Sequence, residues 1–418
     1  MKRLTIPSLI IPALTAMLCI ACQSETPMVN LGIDEEYAVE RMKALVLHPE
    51  FNGEQYIWSM PDRAGNDSVV STERDFIFCS ATTGEYRIRL QIVDRENPYT
   101  HETRIVVWEE DVAYSRYIDR VYEYCPAPGQ FVNTMPEYEP GDSYEDMLRK
   151  AEESISGTND VMISLGAYGG YVTFGFDHSV VNVAGAYDFK IWGNAFYAAE
   201  NPNPDNPNSG GSSEPGIVMV SFDRNRNGKP DDTWYELAGS EYHKPETRHR
   251  YGITYYRPDE TKPATPDPEL FAVTDTSYIR FTDNDGHTGY VTRNAYHTQC
   301  YYPLWVTDNT LSFSGTKLAN NAIDESGNGS YYVLYAYDWG YADNHPNEAD
   351  EKASFNIEWA VDADGNPVHL PCIDFVRVYT GVSQSCGWLG ETSTELSRAE
   401  DLHIPIERNR TKNQKQPY

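Results

Sequence analysis

Tyr86–Asp94 reads "YRIRLQIVD". Tyr86, Ile88, Leu90 and Ile92 fall on one side of an extended chain, and Arg87, Arg89 and Gln91 fall on the other. A period of two over this stretch predicts a half-buried strand, with Gly84 turning the chain into it. Ile105 and Val107 begin a second alternating strand, and "YIWSM" sets Trp58 in mid-strand as a large core residue. Short alternating strands across residues 31–112 predict a small β-sandwich.

The same period continues beyond residue 113. In "GYVTFGF", Tyr171, Thr173 and Gly175 alternate with Val172, Phe174 and Phe176. "GIVMVSF", "TSYIRFTD", "YYVLYAYDW", "SFNIEWAVD" and "CIDFVRVYT" predict further strands, parted by Gly, Asn and Asp turns rather than helices. One helix stands out over Asp142–Ile155, with Ser143 as N-cap, Asp146 three residues on and Gly157 past the last turn. This pattern predicts an all-β chain, with a larger jelly-roll-like sandwich over 113–406. Glu200–Gly216, "ENPNPDNPNSGGSSEPG", is expected as a long surface loop rather than a strand, and 407–418 as a disordered polar tail.

Lys2 and Arg3 precede an apolar run, Leu4–Ala21, broken by Pro7 and Pro12. That is the composition of a secretory signal, residues 1–21, and not of a permanent membrane span. Ala21-Cys22 resembles a bacterial lipobox, which implies acylation of Cys22 and a lipidated tether over 22–30. The chain carries a formal net charge of −30, and losing Lys2 and Arg3 makes it more negative. Such a surface repels nucleic acid and anionic membranes. Cys79, Cys125, Cys300, Cys372 and Cys386 are scattered, without the paired spacing of a zinc site. Cys372 and Cys386 are candidates for a disulfide, with isolated thiols as the alternative.

Chemistry concentrates in few places. In "SFDRNRNGKPDDTW" (Ser221–Trp234), Asp223, Asn225 and Asn227 alternate, and Gly228, Lys229, Asp231 and Asp232 follow. Oxygens spaced in this way suit Ca²⁺, with the Lys229 carbonyl and Asp231 completing a ring. The twelfth loop position is Trp234 rather than a bidentate Glu, and the flanks are strands, so an EF-hand is excluded. An Asx-rich turn that bonds its own backbone is the alternative. Calcium here would be structural. Asp283 with Asp285, Asp338 with Asp343 and Asn344, and Asp362 with Asp364 form weaker acidic turns. The "NAF" segment and Glu214 of "SSEPG" are candidates to converge with one of them. The 31 Tyr and 8 Trp are the other excess. Among them Trp305, Trp339 and Tyr341 are candidate ligand contacts, with core packing as the alternative. No GxSxG or HExxH signature is present.

Two resemblances add to this reading. "GEQYIWSM" followed by "TTGEYRIRLQIVD" resembles a PKD-like or immunoglobulin-like module. "GGYVTFGFDHSVVN", "YDFKIWGNAF", "SSEPGIVMVSFDRNRNGKPDDTWYELAGSEY" and "CIDFVRVYTGVSQSCGWLGETSTEL" resemble cell-surface lipoproteins of Bacteroidetes that join such a module to a jelly-roll-like domain. The resemblance implies an outer-membrane, surface-facing location and a binding role. It also implies an association with TonB-dependent transporters, in some relatives those of corrinoid uptake. The expectation is a non-catalytic lipoprotein that binds a small-molecule or glycan ligand, a glycan or a corrinoid, and touches the membrane only through its lipid. A glycan hydrolase with paired carboxylates and a structural or adhesion subunit are the rival classes.

Overall fold

A computed structural model describes residues 29–61, 65–95, 97–158, 161–200 and 202–405. The leader 1–21, Cys22, most of the tether and the tail 407–418 lie outside the described residues. Among those described, no helix is long and apolar enough to cross a membrane.

The first unit is a five-stranded sheet ordered Glu36–Glu40, Asn97–Trp108, Gly84–Asp94, Gln55–Pro61, Asp67–Ser71. Leu45–Leu47 and Phe76–Phe78 pair beside it. Ile88, Leu90 and Ile92 turn inward as the alternation requires, and Ile105 and Val107 join them. Trp58 is fully buried, stacks on Phe76 with ring centroids 5.1 Å apart, and donates its indole N–H to the Glu73 carbonyl at 2.9 Å. That bond satisfies the only polar group of the largest core residue.

The larger unit is built on a six-stranded antiparallel sheet ordered Ala360–Val361, Trp234–Leu237, Gly216–Ser221, Cys372–Thr380, Tyr171–Val181, Arg120–Cys125. One face packs against the helix Tyr144–Ile155 and the three-stranded sheet centred on Phe189–Trp192. The helix starts as expected: Ser143 and Asp146 form a reciprocal capping box. The other face packs against a four-stranded sheet ordered Thr288–Asn294, Val273–Asp283, Arg248–Tyr256, Thr310–Lys317. Tyrosine fills that inter-sheet layer, with Tyr168, Tyr251, Tyr255, Tyr301 and Tyr379 all buried. Most hydroxyls there find backbone. Tyr255 donates to the Tyr168 carbonyl at 3.0 Å, Tyr302 to Asp308 at 2.9 Å, and Tyr301 to His297 at 2.9 Å.

Two expectations are corrected. The segment expected as pure loop, 200–216, contains a short strand, Gly210–Ser212, between Phe196–Tyr197 and Tyr332–Tyr335. A Cβ on Gly211 would lie 2.0 Å from the Phe196 carbonyl oxygen, so only glycine lets this backbone approach. Cys372 and Cys386 are not paired. The Cys372 thiol instead interacts with that of Cys79 in the first unit, and Cys386 lies 3.7 Å from Thr392 Oγ1.

The two units meet at Met42, fully buried against Val181 and Ile404. Beneath this joint runs a chain of acids and imidazoles. His178 Nδ1 lies 2.7 Å from Asp177 and its Nε2 lies 2.7 Å from the buried Asp401. His403 Nε2 lies 2.9 Å from the buried Asp188, and Tyr114 packs on the His178 ring. Burial opposes charge on both rings, but Asp401 and Asp177 raise the pKa of His178, and Asp188 and Asp401 raise that of His403. Stability from a raised imidazole pKa is fully present below the ordinary value of about 6.5 and is lost as pH rises through the folded value. Urea midpoints should therefore fall with pH above that range. His178→Gln should flatten part of the fall, and the histidine contribution is the difference between the two profiles.

Candidate functional site

Asp343 sits in the turn "YADN" with φ +52°, a left-handed conformation that Asp tolerates better than most residues. Its side chain gathers three stretches of chain. Oδ1 accepts from the backbone N–H of Asn194 and of Ala195, each at 2.8 Å, and Oδ2 accepts from Glu395 N–H at 3.0 Å. The approach is close: a Cβ on Gly193 would lie 2.2 Å from Oδ1. The Asp343 carbonyl in turn accepts from Glu214 N–H at 2.9 Å. Asn194 of "NAF", Glu214 of "SSEPG" and the Asp343 turn therefore converge, as the sequence allowed, and Glu395 joins them.

The result is a knot of acids under a cleft. Glu214, Asp343 and Glu395 bring carboxylate oxygens within 4.8 Å of one another. Asp343 and Glu395 are buried, while part of Glu214 opens to a cavity of about 250 Å³. Burial, followed by mutual repulsion, raises Glu214 and Asp343 well above the usual carboxyl range. Burial lifts Glu395 to about 7, and lifts Glu391, which lines the same cavity, to about 8.

The loop that carries Glu391 is pinned from below. Glu391 Oε1 accepts from Gln130 N–H at 2.5 Å, and Gln130 Nε2 donates to the Leu389 carbonyl at 2.8 Å. Asn294 donates to the Trp388 carbonyl. The Trp388 ring is thereby held 6.4 Å from Tyr296, nearly perpendicular to it. Both rings line the cavity and also a neighbouring groove of about 650 Å³ that includes Phe271. Phe271 is 81% exposed, Tyr296 61% and Trp388 45%. Gln130 Oε1 and Glu391 Oε2 are buried in the cavity wall without a hydrogen-bond partner. The cleft thus offers aromatic faces at its rim, over a wall whose unpartnered oxygens are closed to solvent.

The candidate residues chosen from sequence lie elsewhere. Trp305 is buried in the core, stacked on Tyr124 and Tyr138. Tyr341 is buried, with its hydroxyl accepting from Glu241 N–H at 3.0 Å. Trp339 is half-buried against Trp359, with centroids 4.6 Å apart. None of the three lines the cleft. In "YHTQCYYPLWV" it is Tyr296 that reaches solvent, because Tyr301, Tyr302 and Trp305 fill the core. Glu391 and Glu395 were not singled out. The signal available was two Glu set among Thr and Ser in "ETSTEL", a polar run that the structure buries.

In the Ser221–Trp234 loop, the oxygens gather and accept from the loop itself. Asp223 takes Asn227 N–H at 3.1 Å and Gly228 N–H at 2.8 Å, Asn227 Oδ1 takes Lys229 N–H at 2.8 Å, and Asp232 takes Arg224 N–H at 3.1 Å. Asn225 and Asn227 donate their amides to Asp231. This is the bonding of an Asx-rich turn. Asp362 and Asp283 likewise accept from N–H groups of their own turns.

No family model matches the chain, and no curated protein matches it. Among solved structures it is similar to a SusE-like protein, at TM-score 0.27 and 9% identity over 90% of this chain and 98% of that one. It is also similar to a chain from a study of the promiscuous specificity of carbohydrate-binding modules of the β-sandwich superfamily. That match has a TM-score of 0.15 and 8% identity, over 87% of this chain and 93% of that one. Superpositions this loose carry no argument about function.

Asp343→Ala would orphan three backbone N–H groups, two of them buried, and a buried one costs roughly 1–3 kcal/mol when left unpaired. Equilibrium urea unfolding of the variant should show a loss of about 3 kcal/mol or more, well beyond that of an exposed Asp→Ala such as Asp111→Ala.

Proposed function

We propose that this chain is a non-catalytic, surface-facing binding protein that takes a glycan in the cleft framed by Phe271, Tyr296 and Trp388. The observation that carries the reading is the set of three exposed aromatic side chains, Phe271, Tyr296 and Trp388, at the rim of one cleft. Sugar rings present flat C–H faces that stack on such aromatics. A corrinoid, the other nutrient considered, is larger and would use the outer groove more than the cavity. In this reading Cys22 carries the lipid at the outer membrane, a TonB-dependent transporter is the partner, and calcium in the 223–232 loop is structural.

The test is a glycan array followed by calorimetry on the purified chain. Trp388→Ala and Tyr296→Ala should each weaken binding of a retained glycan at least tenfold, while Trp339→Ala should leave it unchanged. Binding that survives both cleft variants would remove the assignment. Release of cleaved sugar from the bound glycan would favour the hydrolase instead.

A further inference from the structure

The floor of the cleft gathers three carboxyl groups within 4.8 Å of one another. No Lys or Arg forms an ion pair with Glu214, Asp343 or Glu395 among the described residues. Backbone N–H groups satisfy Asp343, but Glu395 is different. It is only 3% exposed, and its Oε1 is buried within the knot with no hydrogen-bond partner. The Asn194 amide lies 3.5 Å from its other oxygen, and the Ser393 and Ser164 hydroxyls and the Glu214 carboxyl also act on the group. A buried carboxyl oxygen left without a donor or cation is costly.

Asn194 supplies a second observation. One end of its carboxamide lies 3.2 and 3.3 Å from the two Asp343 oxygens. As nitrogen, that end donates to Asp343. Turned over, the carboxamide offers its oxygen beside the three carboxyl groups as a further neutral ligand for a cation. Every donor in the knot is then an oxygen, the preference of hard divalent ions rather than of zinc or copper. The cavity above Glu214 has room for waters to complete a coordination shell of six to eight.

We propose that Glu214, Asp343, Glu395 and Asn194 form a binding site for a hard divalent cation of the calcium class in the floor of the cleft. The site is separate from the 223–232 loop and does not depend on the glycan reading. Its ligands come from segments far apart in sequence, so the ion would brace the turn at Asp343 against the link that carries Glu214 and the strand Glu395–Leu396. It would also set the charge beneath the cavity.

The test is calorimetric titration of the EDTA-treated full chain with CaCl2, and with MnCl2 and ZnCl2 for comparison. Asp223→Ala removes the exposed loop as a competing site. In that background one calcium-binding event should remain, with zinc the weaker ligand. Adding Glu395→Gln should lower calcium affinity at least thirtyfold, while the melting temperature in EDTA stays at or above that of its parent. Should Glu395→Gln fail to fold, Glu214→Gln, at the cavity edge, gives the same readout. No calcium uptake by the Asp223→Ala chain, or uptake unchanged by Glu395→Gln and Glu214→Gln, overturns the site. Trp388→Ala separates the two proposals, because it should abolish glycan binding and leave calcium uptake intact.

Discussion

One carboxyl group organises the cleft end of the larger unit. Asp343 accepts three backbone N–H groups from two other segments, and through its own carbonyl it positions Glu214. At 2.8–3.0 Å these bonds leave none of the three N–H groups unpaired. They hold a left-handed turn and the glycine-lined approach of 193–195 in a single arrangement. The clustering of Glu214 and Glu395 follows from these backbone bonds rather than from any attraction between the acids, which repel one another. A fold that spends binding energy to bring like charges together places strain and altered protonation at that point.

Tyrosine sets the second constraint. The layer between the six-stranded and four-stranded sheets needs large side chains, yet several of its positions lie where strands end and carbonyls are unpaired. A tyrosine fills the volume and lets its hydroxyl reach such a carbonyl, as Tyr255, Tyr301 and Tyr302 do. This accounts for the high tyrosine count without any ligand, and it explains why Tyr341 and Trp305 belong to the interior. The aromatics left for a ligand, Phe271, Tyr296 and Trp388, sit on loops at the edge of that layer, where no facing sheet covers them.

Much of the architecture was legible in the chain itself. The alternation in Tyr86–Asp94 placed Ile88, Leu90 and Ile92 inside, and Ser143 with Asp146 marked the helix start. The sequence offered "NAF" and Glu214 as candidates to meet one of three acidic turns, and only the fold selects the turn at Asp343. Exposure of particular aromatics was not legible. Tyr296 and Tyr301 share one cluster and one residue type, and only the packing of distant strands separates them. The burial of "ETSTEL" was equally hidden, because Thr, Ser and Glu read as surface until partners from elsewhere satisfy them.

The sequence by itself determined the strands, the helix, the acidic balance and an oxygen-rich loop at 223–232. These depend on local period, capping and composition, which act between near neighbours. Tertiary structure alone decided that Asn194, Asp343 and Glu395 share one site and that Trp388 faces Tyr296. Asp343 lies 149 residues from Asn194 and 52 from Glu395 along the chain. Contacts at that separation come from sheet order and from which backbone donors are left free at strand ends, and neither is written in any single stretch.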